Sequence, residues 1–462
     1  MARNIAKNQE SDSNVLLEKC VEENAYTIGT QAYIWGIGPY ISYSTRFTEL
    51  YGDNKNLVAP AGVFFGLNEL GNVDNTYNAM PNNNTLYARA WAFVGNEPLI
   101  LSIPDMNPSI YYSVALIDFY QNTFKIFGTN TIGQKGGNFA ITGPKWQGDL
   151  PSCLNGSFVA PTPWIWLLQR IAPKNIRDEN VKPLEALQKG ILLTPLSQWG
   201  NPNYTPPSRY GNPKDQMDPD FSNDPLHFFE LLNGIINENP PPLDQKQEGL
   251  MALFSQIGIS PGMKFDRDEF GSAVHKGLLR AVDTGSKIIE SATYHAPTIL
   301  NGWTIPPKEM GNYGLKYLDR AVYATRAIGA LPKDEVVYVT AFEDSDGNPL
   351  KGTNKYILKL PKTIYSQHDA FWSLTLYNAD MMFVPNSINR YQVGSQVPGL
   401  KYNEDESIDI YLQSTTPQTG KESNWLPAPK NSFNVTFRWY LPKKPVLGIY
   451  KGIFKLPPIQ KK

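Results

Sequence analysis

The residues best suited by type to chemistry fall in one polar and aromatic group. Asn82, Asn83, Asn84 and Thr85 run almost directly into Tyr87, and Tyr112, Asp118 and Tyr120 lie on or beside the strands that follow. If those strands pair, amides, hydroxyls and one carboxylate converge on a shared pocket. Such groups orient a ligand through hydrogen bonds, and Asp118 is then the candidate general base toward a small polar substrate. The plainer account is that they satisfy buried backbone at a sheet corner, as side-chain amides in turns commonly do. Trp372, Trp425 and Arg438 make a second group, suited to sugar rings or a partner subunit, with core packing as the ordinary alternative.

Other motifs carry less. Gly258-Ile259-Ser260-Pro261-Gly262 fits G-x-S-x-G, but a nucleophile elbow needs a strand before it and a helix after it. Here a helical pattern precedes the motif and Pro261 makes it a turn. The four histidines, His227, His275, His295 and His368, form neither H-x-x-x-H nor H-E-x-x-H, so a helical metal site lacks its spacing. Asp344-Ser345-Asp346-Gly347-Asn348 opens like a calcium loop, yet Thr353, Asn354 and Lys355 stand where the closing acid belongs. An Asp-Gly hairpin turn explains it better. No Walker loop or dinucleotide fingerprint follows a strand. No cofactor and no metal are therefore expected.

The elements that would position these residues are legible as changes of period. Phe433, Val435, Phe437 and Trp439 alternate with Ser432, Asn434, Thr436 and Arg438, the pattern of a half-buried strand, and Asn424-Trp425-Leu426-Pro427-Ala428-Pro429 fixes its approach. Tyr87, Arg89, Trp91 and Phe93 alternate in the same way, and turns at 96–98 and 104–108 separate further strands. Helical spacing occupies 14–50, with Ser13 or Asn14 as its cap. It returns at 180–189, after Asp224, after Asp244, and along Val274, Leu278, Ala281, Val282, Gly285, Ile288 and Ile289. The reading is α+β and multidomain: antiparallel β-sandwich domains combined with an α-helical domain. Its boundaries are an N-terminal helical segment 1–50, a β-domain 51–160, a mainly helical region 161–330 and a β-sandwich 331–462.

Composition bounds the rest. At 462 residues, two or three domains are expected. Charged residues are only 18% and aromatics 12%, with 38 Pro and 36 Gly, which suits loop-rich sandwiches and also surface or shell proteins. A formal net charge of -1 without a basic patch argues against a nucleic-acid partner. Two cysteines, Cys20 and Cys153, are too few for a disulfide framework, and reduced thiols are expected. There is no run of about 18 apolar residues, so no membrane span is expected. The polar residues 1–14 lack a signal-peptide core, so the sequons at Asn83, Asn155, Asn203 and Asn434 read as chance matches. A soluble protein is expected, cytoplasmic or part of an assembled particle or surface layer.

Several separated motifs resemble a two-part family known by its domains of unknown function, DUF1254 followed by DUF1214. The first part is suggested by Pro81-Asn82-Asn83-Asn84-Thr85-Leu86-Tyr87, Tyr111-Tyr112, Asp118-Phe119-Tyr120, Gly143-Pro144 and Pro161-Thr162. The second is suggested by Phe371-Trp372-Ser373-Leu374-Thr375-Leu376-Tyr377 and by Asn424 to Pro429 with Arg438 and Tyr440. Gly311-Asn312-Tyr313-Gly314, with Tyr317, Leu318, Arg320 and Ala321, is similar to the family's linker. The resemblance implies a helical part combined with large β-sandwich parts in an oligomeric protein, and no established activity. It also implies that an Asp often stands where this chain has Asn84, which removes a carboxylate from the most polar motif, and that many members carry an export signal.

Two functions follow. The first is an oligomeric β-sandwich protein acting in binding, or as a structural surface or shell component, with a homo-oligomeric partner and a small-molecule or carbohydrate ligand. The second is a hydrolase- or lyase-like enzyme using Asp118.

Overall fold

The computed structural model describes residues 2–462 apart from 55–56, 67–68, 75–79, 177–180, 209–210, 243 and 296–297, and leaves aside the side chains of 2–13, 245, 294 and 295. Two β-sandwiches and a layer of helices are built around three hydrophobic cores.

The first sandwich uses β1 (Phe65–Gly66), β2 (Leu86–Phe93), β3 (Leu99–Ile103), β4 (Tyr111–Asp118), β5 (Thr123–Gly128), β6 (Gly137–Thr142), β7 (Gly156–Val159), β8 (Trp164–Ala172) and β9 (Leu192–Pro195). One sheet has the order β1-β2-β8-β4-β5 and the other β7-β6-β3-β9. Pairing is antiparallel except between β6 and β7. Period two does the sorting: Leu86, Ala90 and Ala92 of β2 enter the core between the sheets, while Tyr87, Trp91 and Phe93 face outward.

The sequence boundary at 160 differs from the structure. β8 is the central strand of its sheet, paired with β2 and β4, and all of its residues are buried. Burial on both faces replaces alternation with a continuous apolar run, which periodicity alone does not separate from a helix. The helix in this region is Leu184–Gly190.

The second sandwich uses β10 (Thr298–Leu300), β11 (Trp303–Ile305), β12 (Val336–Ala341), β13 (Tyr356–Leu360), β14 (His368–Asn378), β15 (Gln392–Gly394), β16 (Ile408–Gln413), β17 (Trp425–Pro427), β18 (Phe433–Pro442) and β19 (Gln460–Lys461). Its sheets run β10-β11-β12-β18-β14-β15 and β17-β16-β13-β19. Phe433, Val435, Phe437 and Trp439 lie in its core, on the face their alternation assigns. The opposite face of β18 is buried as well, because the first sandwich covers it.

Five longer helices form the third layer: α1 (Ala2–Tyr51), α2 (His227–Glu238), α3 (Gln245–Phe254), α4 (Ser272–His295) and α5 (Tyr317–Arg326). α1 begins before the expected cap at Ser13 or Asn14. It packs on α4 through glycines: a Cβ on Gly277 would lie 2.3 Å from the Glu22 carbonyl oxygen. Asp244 caps α3 as expected, accepting from the backbone amides of Lys246 and Gln247. Asp224 does not cap α2; its carboxylate pairs with Arg267 at 2.6 Å.

The outer face of the β2-β8-β4 sheet is thus shared between two covers. The helical layer packs on Trp91, Ile117, Trp164 and Trp166. Towards the other end, the β12-β18-β14 sheet approaches Tyr87, Tyr111 and Arg170. A cleft remains where helices and second sandwich meet.

Candidate functional site

The cleft has a volume of about 1360 Å³. One wall is the β2-β8 surface, with Tyr87, Arg89, Trp166, Leu168 and Arg170; the opposite wall is β12-β18, with Tyr338, Thr340 and Arg438. α5 and the following turn, from Leu318 to Ala330, line a third side.

Each main wall carries a cross-strand tyrosine–arginine pair. Tyr87 is opposite Arg170 in the β2–β8 ladder, and Tyr338 is opposite Arg438 in the β12–β18 ladder. Directly opposed residues share one sheet face, so the pairings place each guanidinium over its neighbouring ring: Arg170 Cζ lies 5.1 Å from the Tyr87 centroid and Arg438 Cζ 5.9 Å from that of Tyr338.

Hydrogen bonds join the two walls. Asn82 Nδ2 donates to the Tyr87 hydroxyl at 3.1 Å and to the Tyr440 hydroxyl at 2.7 Å, while its Oδ1 accepts from the Asn84 amide. Arg170 Nε donates to the Tyr87 hydroxyl at 3.1 Å and its Nη2 to the Gly329 carbonyl at 2.8 Å. Arg438 donates to Thr375 Oγ1 and the Tyr377 hydroxyl, both at 2.7 Å. Tyr377 in turn donates to the Pro81 carbonyl.

This arrangement decides the acidity of Tyr87. Burial disfavours the phenolate, but the Arg170 charge and hydrogen bonds from Arg170 and Asn82 favour it and prevail, so the pKa lies below the ordinary tyrosine value. Tyr440, also buried and close to Tyr87, moves the other way. At the cleft margin, Arg89 pairs with Glu49, whose carboxyl burial pushes up to about 7.

Of the residues singled out from the sequence, Asn82, Thr85, Tyr87 and Arg438 line this cleft. Asn84 lies behind it on the seam between the sandwiches. Its Nδ2 donates to Gln392 Oε1 at 2.6 Å and Gln396 Oε1 at 3.1 Å, and its Oδ1 accepts from Ser373 at 3.0 Å. The amide at position 84 therefore bonds across the seam. Asn83 is buried beside it.

Asp118 does not line the cleft. It closes the β4–β5 turn, where Oδ1 accepts from the backbone amides of Tyr120 at 2.9 Å and Asn122 at 2.8 Å. Burial nevertheless raises its pKa to about 6. Tyr112 sits in the first sandwich core and donates to the Gly133 carbonyl; Tyr120 donates to the Asn239 carbonyl beneath the helices. Trp372 stacks on Phe437 inside the second sandwich, with ring centroids 5.3 Å apart. Trp425 Nε1 donates to the Gln413 carbonyl. These five do not assemble into one site.

Arg170 and Tyr338 escaped the sequence reading. A lone arginine within the apolar run Trp164–Ala172 was the available signal, since a buried charge is rarely incidental. Among the remaining motifs, Asp344 Oδ1 accepts from the amides of Asp346 and Asn348, an ordinary turn. Gly258 takes φ 77° after a short 3₁₀ segment, so Ser260 stands on no nucleophile elbow. His227 contacts Glu230 and His275 the Arg267 carbonyl, while the His295 side chain lies outside the described residues. No cluster of three or more metal-ligating side chains occurs among the described residues. Cys20 and Cys153 are free and exposed.

Family models for two proteins of unknown function match the chain, DUF1254 over residues 64–195 and DUF1214 over 335–444. The chain belongs to the DUF1254/DUF1214 family. The first matched segment spans the strands of the first sandwich and the second spans β12 to β18 of the second, and the cleft lies between the two sandwiches. The crystal structure of the VPA0106 protein from Vibrio parahaemolyticus matches with a TM-score of 0.69 at 22% identity, covering 95% of this chain and 100% of that one. It shares the fold. A putative uncharacterized protein from Burkholderia cenocepacia gives a TM-score of 0.38 at 13% identity, over 95% of each chain. No curated protein matches. No helix among the described residues is long and apolar enough to cross a membrane.

Proposed function

We propose that the protein binds a small molecule in the cleft between its two sandwiches. The observation that carries this reading is the convergence of Tyr87 and Arg170 from one family domain with Tyr338 and Arg438 from the other around one concave space. Ligand sites are concave, mostly apolar and furnished with a few fixed polar groups, and they favour domain interfaces. Trp166, Leu168, Val322 and Ile328 supply apolar lining here. A fragment screen by ligand-observed NMR tests the proposal with Thr304→Trp as control. Thr304 lies on β11 between Trp303 and Ile305, which point into the core, and it lines the cleft. Fragments should bind the native protein and be excluded by the indole. Hits that bind both proteins equally would contradict the assignment.

One observation favours an enzymatic reading alongside it. The Tyr87 oxygen accepts from two donors, Arg170 Nε and Asn82 Nδ2, which favours the phenolate. In a hydrolase- or lyase-like reaction Tyr87, rather than Asp118, would be the proton-transfer group. Turnover of a bound small molecule that survives Asp118→Asn and is abolished by Tyr87→Phe is the expected pattern; the reverse would return the role to Asp118.

A further inference from the structure

Arginine does not lose its proton within a protein, so each buried guanidinium brings a full charge with it. Arg170 is 4% exposed and Arg438 2% exposed, and neither forms an ion pair among the described residues. Tyrosine and threonine hydroxyls and a backbone carbonyl hold them instead. Arg170 Nη1 and Arg438 Nε remain buried without an acceptor among the described residues.

The neighbouring carboxyls do not fill this role. Glu335, close enough to feel Arg170, accepts from the Tyr111 hydroxyl at 2.7 Å, and burial raises its pKa. Of the acids lining the cleft, Glu309 is paired with Lys316 at 2.9 Å. The two guanidiniums share surroundings, for Tyr338 and Tyr440 act electrostatically on both. Two buried cations in one neighbourhood repel each other, and among the described residues neither is paired with the carboxylate that normally accompanies a buried guanidinium.

We infer that the ligand is an amphiphilic anion, its carboxylate or other oxyanion head held at the Arg170–Arg438 end and its apolar body along Trp166, Leu168 and Val322. This rests on the cleft being a ligand site and adds the ligand's chemical class. An oxyanion supplies the acceptors that the two guanidiniums lack, and charge-assisted bonds of this kind are the strong ones. The apolar walls beyond account for a hydrocarbon body rather than inorganic phosphate alone.

Isothermal titration of the full chain with octanoate and octanamide tests the class, because the pair differ in charge and not in length. Octanoate should bind the native protein at least about tenfold more tightly, the scale of one or two charge-assisted hydrogen bonds. Arg438→Gln should lower that preference to about threefold or less, the loss of one such bond, by weakening octanoate more than octanamide. Arg438→Lys should retain part of it. Should Arg438→Gln fail to fold, competition on the native protein decides: added inorganic phosphate should weaken octanoate and leave octanamide untouched. Equal affinity for the two probes would overturn the anionic class while leaving the cleft as a ligand site. Binding of neither probe, with fragments still excluded by Thr304→Trp, would also overturn the class alone. Fragments unaffected by Thr304→Trp would remove the site itself.

Discussion

Asp118 shows how burial rather than catalysis can perturb a carboxyl. Its pKa is pushed up to about 6 in the folded chain, against an ordinary value of 3.8. Between those values the folded protein holds a proton that the unfolded chain has released, so this group's contribution to stability falls as pH rises through the window. Above it the loss is complete, at up to about 3 kcal/mol. Asp118→Asn keeps an acceptor for the Tyr120 and Asn122 amides and removes the buried charge. Urea denaturation over a pH series should show a flatter profile and a gain of about 1–3 kcal/mol at neutral pH; a loss there would mean that the carboxylate itself is required. Tyr87 should behave differently. Ultraviolet titration should reveal one tyrosine ionising below the ordinary range, absent from Tyr87→Phe. At this scale the sequence singled out Asn82, Thr85 and Tyr87 by their polar company, and Arg438 only within a separate group with Trp372 and Trp425. Tyr338 was hidden because an alternating tyrosine in Val336–Ala341 looks the same whether it faces water or another domain.

Strand alternation was readable wherever the two faces differ in chemistry. β18 is the clear instance, with Phe437 and Trp439 on one side and Thr436 and Arg438 on the other. β8 is the opposite case, since both of its faces are covered and its pattern collapses into an apolar run. Which sheet would lie against which could not be read, because no local pattern encodes a contact such as Asn84 to Gln392 across 308 positions. That contact is expected to matter for joining the sandwiches. Asn84→Ala should cost about 2–4 kcal/mol, as buried partners are left unpaired, measured by chemical denaturation; a change within about 0.5 kcal/mol, typical of surface substitutions, would show that the seam does not depend on it. Gly277→Val places side-chain atoms against the Glu22 backbone of α1 and should lower stability by about 1–3 kcal/mol through overpacking. Its effect on ligand affinity should be small, since Gly277 does not line the cleft.

The architecture of the molecule makes the proposed ligand site a property of the junction. Each family domain alone supplies one tyrosine–arginine pair, and the cleft exists only when both pack together with α5. A ligand held there stabilises the assembled form by mass action, about 2.7 kcal/mol at a hundredfold excess over Kd. The homo-oligomer expected from the sequence is open to light scattering, where a mass at a multiple of the single chain is expected and the chain mass alone would contradict it. The most direct measurement is a crystal structure of the native protein soaked with a fragment that Thr304→Trp excludes. The account predicts density between Tyr87 and Arg170 on one wall and Tyr338 and Arg438 on the other. Density for that fragment elsewhere on the molecule, with this cleft holding only solvent, would contradict it.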